Sequence, residues 1–190
     1  MRRSNKDRSE SMRQALMDAA RTLFIEKGYA DTATPEIVAT AGVTRGALYH
    51  HFEDKRALFR AVIEREAEDV AGEIEASSTS GSSPREAILA GTRAYFDAMA
   101  RPGRTRLLLL DGPAVLGTDL MRAIDSETAE ASLKVGLATL LKGTRNSDKA
   151  AMLAVLLSAA FDRAALAIEA GAERRSCEEA IAALIDGLSG

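Results

Sequence analysis

Apolar residues recur along this chain at helical spacing, and nowhere do they alternate with polar ones over the length of a strand. Leu16, Ala19, Ala20, Leu23 and Phe24 fall at i, i+3, i+4, i+7 and i+8, which is one buried face of a first helix. Ser11 with Gln14 matches a capping box at its start, and Gly28 a stop at its end. A second helix is expected to open at Thr34-Pro35-Glu36, with Thr34 as cap, proline at the first position and Glu36 against the dipole, and to close near Thr40. Ala41-Gly42-Val43 then turns the chain. Thr44 caps a third helix from Arg45 to about His51, and Asp54 caps a fourth that runs to about Ala76. The stretch 77–83, SSTSGSS, reads as a surface loop. Ser83-Pro84-Arg85-Glu86 is a capping box for a fifth helix, which Arg101-Pro102-Gly103 closes. Four leucines at 107–110 meet a turn signal at Asp111-Gly112-Pro113, and further helix reaches about Lys142. Ser147 opens a long helix that Gly171 ends, and Ser176-Cys177-Glu178-Glu179 caps a last one. The pattern predicts an all-α fold of about nine helices.

Composition narrows this further. Of 190 residues, 46% are hydrophobic but only 4% aromatic, with no tryptophan, so the core must be built from Ala, Leu, Ile and Val. The net charge of -3 conceals an asymmetry: residues 1–60 hold 11 Lys/Arg against 8 Asp/Glu, and the remainder 14 against 20. A basic head on an acidic body suits a protein that meets phosphate at one end. The single cysteine, Cys177, excludes an internal disulfide and offers no metal site. No apolar stretch follows the charged start MRRSNKDRSE, and 107–110 is too short to span a bilayer, so a cytoplasmic protein without a membrane partner is expected. There is no Gly-rich phosphate loop, no metal-ligand cluster, and no histidine besides His50 and His51. Neither a cofactor nor an enzymatic activity is expected.

The most informative stretch is 34–58, TPEIVATAGVTRGALYHHFEDKRAL. A helix, a tight turn and a second short helix make a helix-turn-helix, whose second helix enters the major groove of DNA. Val43, Ala47, Leu48 and Phe52 supply that helix's inward positions, leaving Thr44, Arg45, Gly46, Tyr49 and His50 to face out. Arg45 can pair with guanine O6 and N7. Gly46 lets the backbone approach closely. Tyr49, His50, Lys55 and the helix start at Thr34 suit phosphate oxygens. Arg2, Arg3, Lys6 and Arg8 read as a solvated tail or, in the alternative, as an arm that reaches a minor groove.

Residues 12–63 resemble the DNA-binding domain of the TetR/AcrR family of bacterial transcriptional regulators. The resemblance lies in AARTLFIEKGYADTATPEIVATAGVTRGALYHHFEDKRALF, with Gly28-Tyr29 before the second helix, Ala41-Gly42-Val43-Thr44 in the turn, Leu48-Tyr49-His50-His51-Phe52 ending the third helix, and Lys55-Arg56-Ala57-Leu58 after it. It implies DNA contacts at Thr34, Thr44, Arg45, Gly46, Tyr49, His50, His51 and Lys55. Val38 stands where the family commonly has alanine. The resemblance further implies a DNA-binding domain over 1–60, a helical effector-binding and dimerisation domain over 61–190, and a homodimer that a small molecule releases from a palindromic operator on double-stranded DNA.

The residues of the body are compatible with this. The long helix carries Leu153, Leu156, Leu157, Ala160 and Ala164, and the last helix Ile181, Leu184, Ile185 and Leu188, a pair of faces expected to form an isologous four-helix interface. Candidate walls for an apolar effector are Tyr95, Phe96, Met99, Leu110, Leu116, Leu137 and Phe161, with Asp111 or Asp162 as a polar anchor. A DNA-binding architectural or protein-interaction regulator without a small molecule is the alternative, distinguished by a body packed without a cavity.

Overall fold

The computed structural model describes residues 5–77 and 82–189. Arg2 and Arg3 of the expected arm, and most of the serine-rich loop, lie outside the described residues. Those described are helical, joined by short turns, and no strand occurs among them. Their contacts define two compact units, Met1–Glu66 with Arg106–Thr118, and Ala67–Thr105 with Asp119–Gly190.

In the first unit α1 (Asn5–Asp31) packs on α2 (Thr34–Thr40) and α3 (Arg45–His51), and the first turns of α4 (Lys55–Ala76) complete the core. Leu16, Ala20, Phe24, Ile37, Leu48, Leu58, Phe59 and Val62 are fully enclosed. Phe24, Tyr29 and Phe59 form a ring cluster with centroids 5.0–5.8 Å apart. The expected start of α1 at Ser11 is corrected. Helix already runs through that position, and Gln14 donates its amide to Glu10, one turn earlier, at 2.7 Å. At Gly28 the helix breaks, with φ of 82°, a value glycine adopts without a Cβ penalty. Thr32 closes the break from inside by donating its hydroxyl to the Gly28 carbonyl at 2.8 Å.

The segment 106–118, sequence-distant from α1, belongs to this first unit. Here the expected turn at Asp111-Gly112-Pro113 is not a turn. The backbone continues from α6 (Arg104–Arg106) through a π-helical turn (Leu107–Asp111) into α7 (Gly112–Leu116). Proline sits in the first turn of α7, where its missing N–H is not needed. Arg56 of α4 donates to the carbonyls of Val115 and Leu116 at 3.3 and 3.0 Å, capping the C-terminus of α7.

The second unit is built on α5 (Pro84–Met99), α8 (Thr118–Glu127), α9 (Ala129–Leu140), α10 (Ala150–Glu169) and α11 (Arg174–Ser189), with α9 and α10 in the most extensive contact. The capping box forms as expected: Ser83 accepts from the Glu86 N–H, and Glu86 accepts from the Ser83 N–H. By contrast, α11 starts two residues before Ser176, whose hydroxyl donates to the Glu173 carboxylate at 2.7 Å. The long helix also starts later than expected, after a single 3-10 turn at Ser147–Lys149. Arg85 pairs with Asp186 and Arg174 with Asp97, fastening α5 to α11 at two levels. Arg104, almost wholly enclosed, is held by Glu73 at 3.1 Å and by the Ala98 carbonyl at 3.1 Å.

Candidate nucleic-acid interface and cavity

The turn between α2 and α3 is set by Gly42, whose φ of 66° needs a residue free of Cβ strain. Thr44 then caps α3, accepting the Ala47 N–H at 3.2 Å on its hydroxyl. Thr34 is the first residue of α2 rather than its cap, since Ala33 takes the extended cap conformation and Pro35 follows in the first turn. Ile37 and Leu48 pin both helices to the core.

With Leu48 and Phe52 inward, α3 shows Thr44, Arg45, Gly46, Tyr49 and His50 on its exposed side. Tyr49 is 45% exposed, a large aromatic turned toward water. The Arg45 guanidinium lies over its ring, 5.5 Å from the centroid, one helical turn away. Five of the eight expected contact residues therefore share one surface.

The other three differ. Thr34 is half-buried. His51 is also half-buried, and its Nε2 is enclosed without a partner. Loss of solvation, then the neighbouring His50 and Arg13, push its imidazole below the ordinary histidine range, so it stays neutral at neutral pH. The Lys55 ammonium donates to the carbonyls of Tyr29 and Thr32 at 2.8 and 3.0 Å and lies 4.2 Å from the Tyr29 ring centroid. It ties the end of α1 to the start of α4. Two of its three N–H donors are thereby used. Sequence reasoning had no means of finding this, because the acceptors are main-chain groups more than twenty residues away.

In the second unit a cavity of about 410 Å³ opens between α5, α9 and α10. Of the expected wall residues only Tyr95 and Phe161 line it. Phe96 and Met99 line a smaller recess of about 250 Å³, Leu137 is fully buried, and Leu110, Asp111 and Leu116 belong to the first unit. In that unit Asp111 lies 3.2 Å from Arg106. Missing from the expected walls were Ile88, Gly91, Thr92, Leu133 and Gly136, small or ordinary core residues whose spacing carries no signal beyond burial. Asp162 accepts the Tyr95 hydroxyl at 2.7 Å, and burial raises its carboxyl to about 6.

On α10, Met152, Val155, Leu156 and Ala159 make an exposed stripe at i, i+3, i+4 and i+7, and on α11 Leu184 is also exposed. Leu156 is 60% exposed and Leu184 54%. Leu157, Ile181 and Ile185 are instead buried within their own chain, while Leu153, Ala160, Ala164 and Leu188 are half-buried. The helix from Ser147 to Glu169 is long and apolar enough, by composition alone, to cross a membrane.

These features define a helix-turn-helix head joined to a helical body with a cavity. The sequence profile of the bacterial regulatory proteins of the tetR family matches residues 16–62, and that of the tetracyclin repressor-like C-terminal domain matches residues 85–190. The chain belongs to the TetR family. It is 41% identical over 75 residues to the transcriptional regulator AcrR of Shigella flexneri, a match that spans 40% of this chain and 34% of that protein. To the transcriptional repressor BepR of Brucella suis it is 45% identical over 65 residues, 34% of this chain and 31% of that one. The chain thus spans about a third of the length of these curated relatives. A TetR-family regulator from Pectobacterium atrosepticum of known crystal structure is 30% identical, with a TM-score of 0.71, over 98% of this chain and 95% of its own. A regulator from Pseudomonas aeruginosa shares the fold at a TM-score of 0.79 and 21% identity, over 93% of this chain and 89% of its own.

Proposed function

We propose that this chain is a sequence-specific, homodimeric transcriptional regulator that acts as a repressor and leaves its operator when a small molecule fills the cavity. The observation that carries the reading is the exposed set Thr44, Arg45, Gly46, Tyr49 and His50 on one short, capped helix. In this reading residues 1–60 bind DNA and residues 61–190 bind the effector and the partner copy. Thr34, Lys55 and His51, the last residue of the reading helix, contact phosphate, and Arg45 reads a base. The name of BepR as a repressor supports repression, whereas a relative from Mycolicibacterium smegmatis, FasR, is named an activator. The cavity favours this reading over an architectural regulator without a ligand. In this reading the protein works on DNA in the cytoplasm.

Both the DNA-binding head and the helical body support a dimer. Two reading helices must meet successive major grooves, about 34–36 Å apart. The apolar stripe of α10 and α11 is the face that a second copy covers, by the same patch on both partners. An effector acts by preferring the dimer whose reading helices no longer match that spacing; without such a preference it has no effect, however tightly it binds.

The test is base selectivity. Arg45→Ala should cost about 1–3 kcal/mol per half-site and relax preference at one guanine-containing position. Binding measured across single-base variants of a bound duplex reads this directly, and unchanged selectivity moves base reading away from Arg45.

A further inference from the structure

The cavity of the second unit has a polarity that its apolar walls hide. Three of the residues that line it are buried and carry hydroxyls: Thr92 and Tyr95 on α5, and Ser158 on α10. Each has already committed its proton elsewhere. The Tyr95 hydroxyl donates to Asp162 at 2.7 Å, Ser158 donates to Asp125 at 2.9 Å, and Thr92 donates to the Ile88 carbonyl at 2.9 Å. What these groups offer to an occupant is oxygen lone pairs.

Behind the hydroxyls stand two carboxylates without a cation of their own. Asp162, on α10, faces Tyr95 of α5 and Asp125 of α8. Asp125 faces Ser158 of α10 together with Glu130 and Lys134 of α9. Lys134 is the one cation of this group, and it is bound to Glu130 at 2.6 Å. Burial raises both aspartates above the ordinary carboxylate range, Asp162 to about 6. Among the described wall residues there is no lysine, arginine or histidine. A carboxylate or phosphate placed against these three hydroxyls would meet acceptors backed by negative charge. A cation would meet the same groups as hydrogen-bond partners and would repay the burial of the aspartates.

We propose that this cavity takes an apolar molecule with a cationic, hydrogen-bond-donating head, in its simplest form an alkylammonium compound. The head lies against Tyr95 and Ser158, the hydroxyls that Asp162 and Asp125 polarise, and the tail along Ile88, Leu133 and Phe161. This rests on the reading of the cavity as the effector site and adds its chemical class. A volume of about 410 Å³ falls within the range of small-molecule sites.

Three probes of equal tail decide the matter: octylammonium, octanoate and octan-1-ol, each titrated into the full-length protein by calorimetry near neutral pH. Octylammonium should bind at least about tenfold more tightly than octanoate, a modest preference for one unit charge near two partly screened carboxylates. In Asp125→Asn/Asp162→Asn the gap between the two should close to roughly twofold. The wild-type protein supplies a second reading independent of that variant's folding. Octylammonium binding should weaken several-fold from about pH 7.5 to about pH 5, as Asp162 takes up its proton. Octanoate binding as tightly as octylammonium would overturn the proposed class and leave the cavity as an effector site. Failure of all three probes to bind would remove the effector-site reading itself, and this proposal with it.

Discussion

Lys55 illustrates how one residue serves two purposes. Its ammonium holds the carbonyls of Tyr29 and Thr32, and one N–H remains to meet a phosphate in the proposed complex. Lys55→Ala should therefore lower thermal stability as well as weaken DNA binding equally across sequences, with a shallower dependence on salt. Melting scans together with salt titrations separate the two effects. An unchanged melting temperature would show that the two carbonyl contacts contribute nothing. A sequence-selective loss of affinity would assign Lys55 to base reading. Its place beside the helix-turn-helix was legible in the sequence, as were the outward positions of Arg45, Tyr49 and His50, because they follow from 3.6-residue periodicity and a few inward anchors. The carbonyl ties of Lys55 and the enclosed, neutral His51 were not, since both depend on backbone brought together by the fold.

At the scale of the element, the caps of α3, α4 and α5 were readable, and those of α1, α2 and α11 were not. Thr44, Asp54 and Ser83 each accept the N–H three residues on, as the short polar residue before a helical run implies. Asp111-Gly112-Pro113 carried the same kind of local signal for a turn, yet tertiary packing of the 106–118 segment holds it helical through a π turn. Likewise α10 read as apolar almost all round, which did not say which side faces its own core. The structure divides it: Leu157 and Phe161 point inward, and Met152, Val155 and Leu156 are exposed. An exposed apolar stripe of this kind marks a surface for a partner. Leu156→Arg should convert the proposed dimer to a monomer in light scattering at micromolar concentration and, through loss of paired half-sites, weaken operator binding by at least about a hundredfold. A variant that stays dimeric would move the interface off this stripe.

For the whole molecule, charge and pH act at different ends. The carboxyl of Asp162 is raised from 3.8 to about 6 by burial, so the folded form binds its proton more readily than the unfolded chain. The stability this supplies is fully present below the unfolded value and is lost as pH rises through about 6. Between about pH 5 and pH 7 the wild type should lose about 1 kcal/mol of unfolding free energy relative to Asp162→Asn, by urea denaturation at each pH. Glu86 and Asp186, both held below the usual range by hydrogen bonds, oppose this only at lower pH. A parallel course for the two proteins would mean that Asp162 is solvated. Above all of this stands the claim that two copies of the exposed α3 face read one symmetric site. Selection of bound duplexes from a random pool at fixed salt, with Tyr49→Ala alongside, tests it most directly. The account predicts that the wild type recovers a pseudopalindrome with half-site centres one helical turn or a multiple apart, and that Tyr49→Ala does not. Recovery of no sequence preference, with binding governed by salt alone, would contradict it.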